Sequence, residues 1–289
     1  MPRCVFKLRG PIMFVRHVLA AAILSLTAPL ALTVTPAAAQ SSVSSYAPPL
    51  KNPKFKGRWS SPRFGDKKRV RFEGRHPSKY AIHGIDISRY NPPLDWKRAQ
   101  AAGVEFAFIK VTEGRENVDP KFKRHWKGAM SVGMPASPYH FYYWCAPPEA
   151  QARNYIRNVP KSLTSLPPVL DLEWNPQSPT CKRRPKKREV LRVVKKWLDI
   201  VERHYKQKPI IYVPIDFHRD VFANYELPGY QYWLRSVRAQ PERRFGKRPW
   251  VFWQYSGTGL ATGIKGAVDL NVFNGTREDW NWWVAINTR

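Results

Sequence analysis

The chain has 289 residues, with 49 Lys+Arg against 21 Asp+Glu, a formal charge of +28 and a sequence pI near 10.3. Its 43% hydrophobic and 13% aromatic content is enough for one sizeable core, which excludes a wholly disordered protein despite the charge. The 27 Pro and 16 Gly follow no period, so collagen and solenoid repeats are excluded; with no CxxC, HExxH or HxH spacing, no metal and no cofactor is expected.

The chain begins with Arg3, Lys7, Arg9 and Arg16, and no acid precedes Asp66. An apolar run from Val18 to Val34 follows, then Ala37, Ala38 and Ala39. That order predicts a signal peptide over residues 1–39, cleaved after Ala39, and a secreted or periplasmic protein. A membrane anchor would need an uninterrupted apolar run, and Pro29 and Pro36 break this one. Residues 40–80 carry eleven Lys/Arg against Asp66 and Glu73 and are rich in Ser and Pro, which predicts a flexible basic tail or linker. With the clusters Lys182–Arg188 and Arg238–Arg248, this charge suits adsorption to an anionic cell-wall polymer or membrane surface. Nucleic acid is not expected as the partner of an exported protein. Cleavage removes Cys4, and the remaining pair, Cys145 and Cys181, is expected to form a disulfide in an oxidising compartment.

From residue 81 to 289 the pattern predicts one catalytic domain. Strands are expected at Ile82–Ile87, Val104–Val111, Pro138–Trp144, Pro168–Leu172, Ile210–Val213, Tyr232–Val237, Val251–Gln254 and Val268–Val272. Helices are expected at Asp95–Ala102, Pro120–Val132, Pro147–Val159 and Arg188–Tyr205; the last places Val190, Val194, Trp197, Leu198 and Val201 on one face. Eight strands with early βα alternation predict an α/β fold: a modified TIM-like β/α barrel with fewer helices in its second half. An open doubly wound sheet is the alternative, but no GxGxxG fingerprint follows a strand.

Acids fall where strands end, the usual place for catalytic groups in such barrels. Asp86 lies near the end of the first strand, Glu113 ends the second, Asp171 and Glu173 end the fourth, and Asp269 lies in the last. An acid in an apolar strand is costly unless paired, hydrogen-bonded or functional, and four strands presenting acids at one end point to a site. Asp171 and Glu173 are two apart, so both carboxylates face one side while Leu172 faces the other. Close like charges favour one protonated and one ionised acid, the division that glycosidic cleavage requires. Most aromatics belong to the core, but those at strand ends beside the acids, among them Trp174, are expected to line a groove for sugar rings.

Five segments, HGIDISRYN, FAFIKVTEG, PYHFYYW, PPVLDLEW and WVFWQYSGTGLATGIKGAVDLNVFNG, resemble in order and spacing the family 25 glycoside hydrolases, a class of muramidases. The resemblance runs from His83 to Gly275. It implies a modified β/α barrel that hydrolyses the β-1,4 bond between N-acetylmuramic acid and N-acetylglucosamine in peptidoglycan glycan strands. It also implies Glu173 as general acid/base and Asp171 as the neighbouring acid beside the substrate's 2-acetamido group. Asp86 and Asp269 complete the acid cluster, and Tyr139, Tyr212 and Gln254 position substrate. The basic tail and the two cysteines depart from the family pattern. A chitinase-like glycosidase would share the D-x-E strand but carry D-x-x-D-x-D-x-E, where this chain has Leu166, Pro168 and Leu170. A non-catalytic wall-binding barrel is the third reading; the intact acids speak against it.

Overall fold

The computed structural model describes residues 64–289; the expected signal peptide and residues 40–63 lie outside the described residues. In chain order the strands are β1 (Gly65–Asp66), β2 (His83–Ile87), β3 (Val104–Glu113), β4 (Asn117–Val118), β5 (Ala136–Phe141), β6 (Val169–Asp171), β7 (Ile210–Pro214), β8 (Gln231–Arg235), β9 (Phe252–Leu260) and β10 (Val268–Phe273). The helices are α1 (Trp96–Ala101), α2 (Phe122–Ser131), α3 (Pro148–Asn158), α4 (Lys187–Tyr205), the single turn α5 (Ile215–Phe217), the short α6 (Glu242–Phe245) and α7 (Arg277–Asn287).

Strands β9, β10, β2, β3, β5, β6, β7 and β8 pair in that order, and β8 pairs back onto β9, closing an eight-stranded barrel. The fold is the modified β/α barrel expected from the sequence. All neighbours are parallel except β10, which runs antiparallel to both β9 and β2. The parallel strands therefore end at one mouth, whereas β10 begins there, and Asp269 at its start stands in register with Asp86.

Side-chain alternation along the strands builds two apolar layers. Phe106, Phe108, Val169, Ile210, Trp233 and Phe252 fill the barrel, while Ala107, Ile109, Leu170, Leu172, Ile211 and Val213 face the helices. The face of α4 expected to be apolar is the buried one, from Val190 to Val201. Each such side chain contributes about 1.5–3 kcal/mol on burial.

Helix α7 was not expected from the sequence. It follows β10 at the end opposite the mouth and packs Trp280, Trp283 and Val284 against the barrel interior, with Trp280 and Trp283 both in ring contact with Phe252 and Phe273. Its start is fixed by a capping box between Thr276 and Asp279 and by the ion pair of Arg277 with Glu105. Thr276-x-x-Asp279 followed by apolar positions 280, 283 and 284 was the legible signal.

Residues 64–80, counted in the expected tail, are held to the barrel instead. β1 pairs with β9, and Asp66 accepts hydrogen bonds from Ser256 Oγ, Thr258 Oγ1 and Lys68 N. Phe72 lies edge-on to Trp253 and Tyr255, on a stretch of barrel that no long helix follows in sequence. Two isolated aromatic anchors, Phe64 and Phe72, leave no periodic trace, so the charge dominated the sequence pattern.

Cys145, after β5, and Cys181, before α4, form the expected disulfide, with Cα atoms 5.7 Å apart and a sequence separation of 36. Closing a loop of that size limits the unfolded chain and contributes about 3–4 kcal/mol in the chain-entropy picture. The Cys145→Ser/Cys181→Ser double variant should lose that much stability in urea titration. A loss below ~1 kcal/mol would mean that the loop ends are held mainly by other contacts, such as the Trp144 Nε1 hydrogen bond to the Glu173 carbonyl at 2.8 Å.

Candidate active site

At the mouth, polar side chains replace the aromatic filling. Asp86 on β2, Tyr139 on β5, Asp171 on β6, Tyr212 on β7 and Gln254 on β9 are all buried there, with Glu173 just beyond β6 and Asp269 opening β10. Of the expected site residues, these seven come together.

A hydrogen-bond chain ties one half of the group. Tyr212 Oη donates to Gln254 Oε1 at 2.9 Å, and Gln254 Nε2 donates to Asp86 Oδ2 at 2.8 Å. Asn271 Nδ2 donates to the same Asp86 oxygen at 2.8 Å, while its Oδ1 accepts from Trp233 Nε1 at 2.8 Å. Burial pushes the Asp86 carboxyl up to about 6, against the pull of these two amide donors and of Arg235. Burial likewise pushes Asp269 up to about 8, with the Asp86 charge adding and Arg235 opposing.

The other half is the D-x-E pair. Burial raises Asp171 well above the carboxylate range, and the neighbouring Glu173 charge raises it further. Its Oδ1 is buried with no hydrogen-bond partner. Burial also raises Glu173, opposed by Arg235 and by the hydrogen-bonding contribution of Asp171. Two adjacent carboxyls in a dry site cannot both ionise cheaply, so the pair favours holding one proton between them. Burial and the surrounding acids also keep the phenols of Tyr139 and Tyr212 protonated.

Two expected residues stand elsewhere. Trp174 follows the outward parity of Leu170 and Leu172, so it packs with Trp144 and Phe217 in the outer layer and donates from Nε1 to Asp220 at 2.9 Å. Glu113 is spent on structure: a register shift between Lys110 and Thr112 sets it beside Lys110, with which it forms an ion pair, and it accepts from Tyr143 Oη at 2.7 Å. Burial raises its carboxyl, but Lys110 and these hydrogen bonds outweigh that and leave it lowered.

Three residues of the mouth escaped the sequence reading: Lys110, Arg235 and Asn271. Each interrupts an apolar strand with a polar side chain, in FAFIK, YWLR and DLNVF, the same sign that marked the acids. Among the described residues no group of His, Cys, Asp and Glu could hold a metal ion, and no helix is long and apolar enough to cross a membrane.

The sequence model of Glycosyl hydrolases family 25 matches residues 85–264. The chain is 36% identical over 213 residues to the YegX protein of Escherichia coli strain K12, covering 72% of this chain and 75% of that one. It is 29% identical to Lysozyme M1 of Streptomyces globisporus over 68% of each chain. Among solved structures, a family 25 glycosyl hydrolase from Bacillus anthracis superposes with a TM-score of 0.66 at 32% identity, over 74% of this chain and 98% of its own.

Proposed function

The chain belongs to glycosyl hydrolases family 25, and on that footing we propose that it is a muramidase, cleaving the β-1,4 bond between N-acetylmuramic acid and N-acetylglucosamine in peptidoglycan. The observation that carries the reading is the Asp171/Glu173 pair at the mouth of the barrel, both of whose carboxyls are raised by burial.

In this mechanism the shared proton moves to Glu173 as the glycosidic oxygen approaches. Glu173 gives it to that oxygen as the C–O bond breaks, so the leaving sugar departs as a neutral alcohol. Asp171, now ionised, stabilises the positive charge that develops at the anomeric carbon or on the 2-acetamido group. The Glu173 carboxylate then takes a proton from the attacking water, which restores the starting state. Asp86 and Asp269 complete the negative field, and Tyr139, Tyr212 and Gln254 hold the sugar, with Gln254 fixed between Tyr212 and Asp86. Release of reducing ends from purified peptidoglycan, with chitin alongside, tests the reading. Equal action on chitin would replace it with a chitinase-like specificity, and no action on either would leave a wall-binding barrel.

Export by the N-terminal leader and adsorption through the basic segment belong to the same reading. Residues 40–63 hold Lys51, Lys54, Lys56, Arg58 and Arg63 and no acid. Deleting them should weaken binding to whole sacculi at low salt and leave hydrolysis of short soluble glycans intact. The difference should fade as exposed charges are screened beyond ~8–10 Å at 0.10–0.15 M salt. Loss on both substrates alike would count against an adsorption role.

A further inference from the structure

The mouth gathers four carboxyls, Asp86, Asp171, Glu173 and Asp269, and among the described residues two cations, Lys110 and Arg235, act on them. Lys110 is already neutralised by Glu113. Arg235, at the end of β8, has no carboxylate within 4.0 Å among the described residues, although it is largely buried in their midst. Its surroundings are Tyr212 from β7, Asp269 from β10, Glu173 from beyond β6 and Asp86 from β2. On the far side, Asp216 and Lys110 act on Glu173, and Tyr139 faces Asp86, Asp171 and Asp269.

Gly257 on β9 makes room for this arrangement. A Cβ there would stand 3.2 Å from Asp269 Oδ1 and 3.4 Å from Arg235 Nη2. The guanidinium and the carboxylate thus lie against one bare stretch of backbone, neighbours without forming a dedicated pair.

We propose that Arg235 is a positioning residue for the muramidase reaction: a shared counter-charge, committed to no single acid, that sets how many of the mouth's carboxyls are ionised and so the pH at which the enzyme works. An arginine bonded to one carboxylate would fix that acid and leave the others to repel one another. A guanidinium held among three acids lowers all of them together, and arginine suits the post because it stays charged when buried. In kinetic terms, kcat/KM needs an ionised acid on the low-pH side and a protonated Glu173 on the high-pH side. Removing a nearby cation raises every carboxyl it faces, so both limbs of the profile should move to higher pH.

The kinetic arm rests on the proposed function; a second arm does not. In carboxyl-detected NMR titrations of the full chain without substrate, Arg235→Gln should raise the titrations of Asp269 and Glu173 by about one pH unit. The kcat/KM profile on peptidoglycan should move upward by a similar amount, and Arg235→Lys should restore most of both shifts. Gly257→Ala, which keeps the guanidinium but presses a methyl between it and Asp269, should raise Asp269 alone; it serves if the glutamine variant does not fold. Carboxyl titrations unchanged in a folded variant, with activity lost equally at every pH, would overturn the proposal and leave Arg235 a packing or substrate contact. If the parent hydrolyses no peptidoglycan, the muramidase reading falls and the titrations alone decide the role of Arg235.

Discussion

Replacing Glu173 by Gln is expected to cut turnover roughly 10²–10⁴-fold, the usual scale of general acid–base catalysis, while glycan binding is largely kept. Gln has the same shape but no proton to give, so the loss falls on the step in which the leaving oxygen must be protonated. The environment accounts for the size of the effect. Burial raises Glu173, so that the carboxyl can hold the proton at a pH where an exposed glutamate would have lost it. Arg235 and the hydrogen-bonding effect of Asp171 keep the rise within bounds, so that the proton can also leave. Muropeptide release followed by chromatography measures the loss, and circular dichroism checks that the variant folds. A folded Glu173→Gln protein that digests peptidoglycan at the parent's rate would move the acid to another member of the cluster.

Much of this site was legible in the sequence because its chemistry is written at period two. Asp171 ends β6 and Glu173 lies two residues on, where Leu172 N still donates to Tyr212 O of the neighbouring strand, and Leu172 between the acids is buried on the helix side. The same parity, applied one residue further, would have turned Trp174 outward; its nearness to the acids in sequence stood for a nearness in space that the strand does not provide. Glu113 misled for another reason. A register shift in β3 is not visible in composition, and it sets Glu113 beside Lys110 rather than among the other acids. The reversal of β10 was equally hidden. An acid at the start of the last strand reaches the mouth only if that strand runs backwards, and Asp269 does so through its register with Asp86. Arg235 and Lys110 do not stand out in the sequence, because most of the 49 Lys+Arg of this chain belong on the surface.

Asp171→Asn should suppress turnover by roughly 10²–10³-fold, the scale on which a single preorganised electrostatic group acts in a dry site. Asn keeps the volume and offers a donor to Glu173, so the fold should survive. What it lacks is the ability to become an anion when the shared proton passes to Glu173. The transition state then loses the negative charge that faces the forming cation, in a place where burial magnifies every charge. A second consequence follows from the same pair. In the parent, the last proton of the pair is held because losing it would leave two adjacent negative charges, as the raising effect of Glu173 on Asp171 shows. With a neutral Asn, that repulsion is gone and the general acid is lost at lower pH. The high-pH limb of kcat/KM should therefore fall toward the acid side, opposite to the shift expected for Arg235→Gln. Residual activity with an unmoved high-pH limb would show that Asp171 and Glu173 do not share a proton, and that Asp171 acts only as a fixed structural neighbour of the acid.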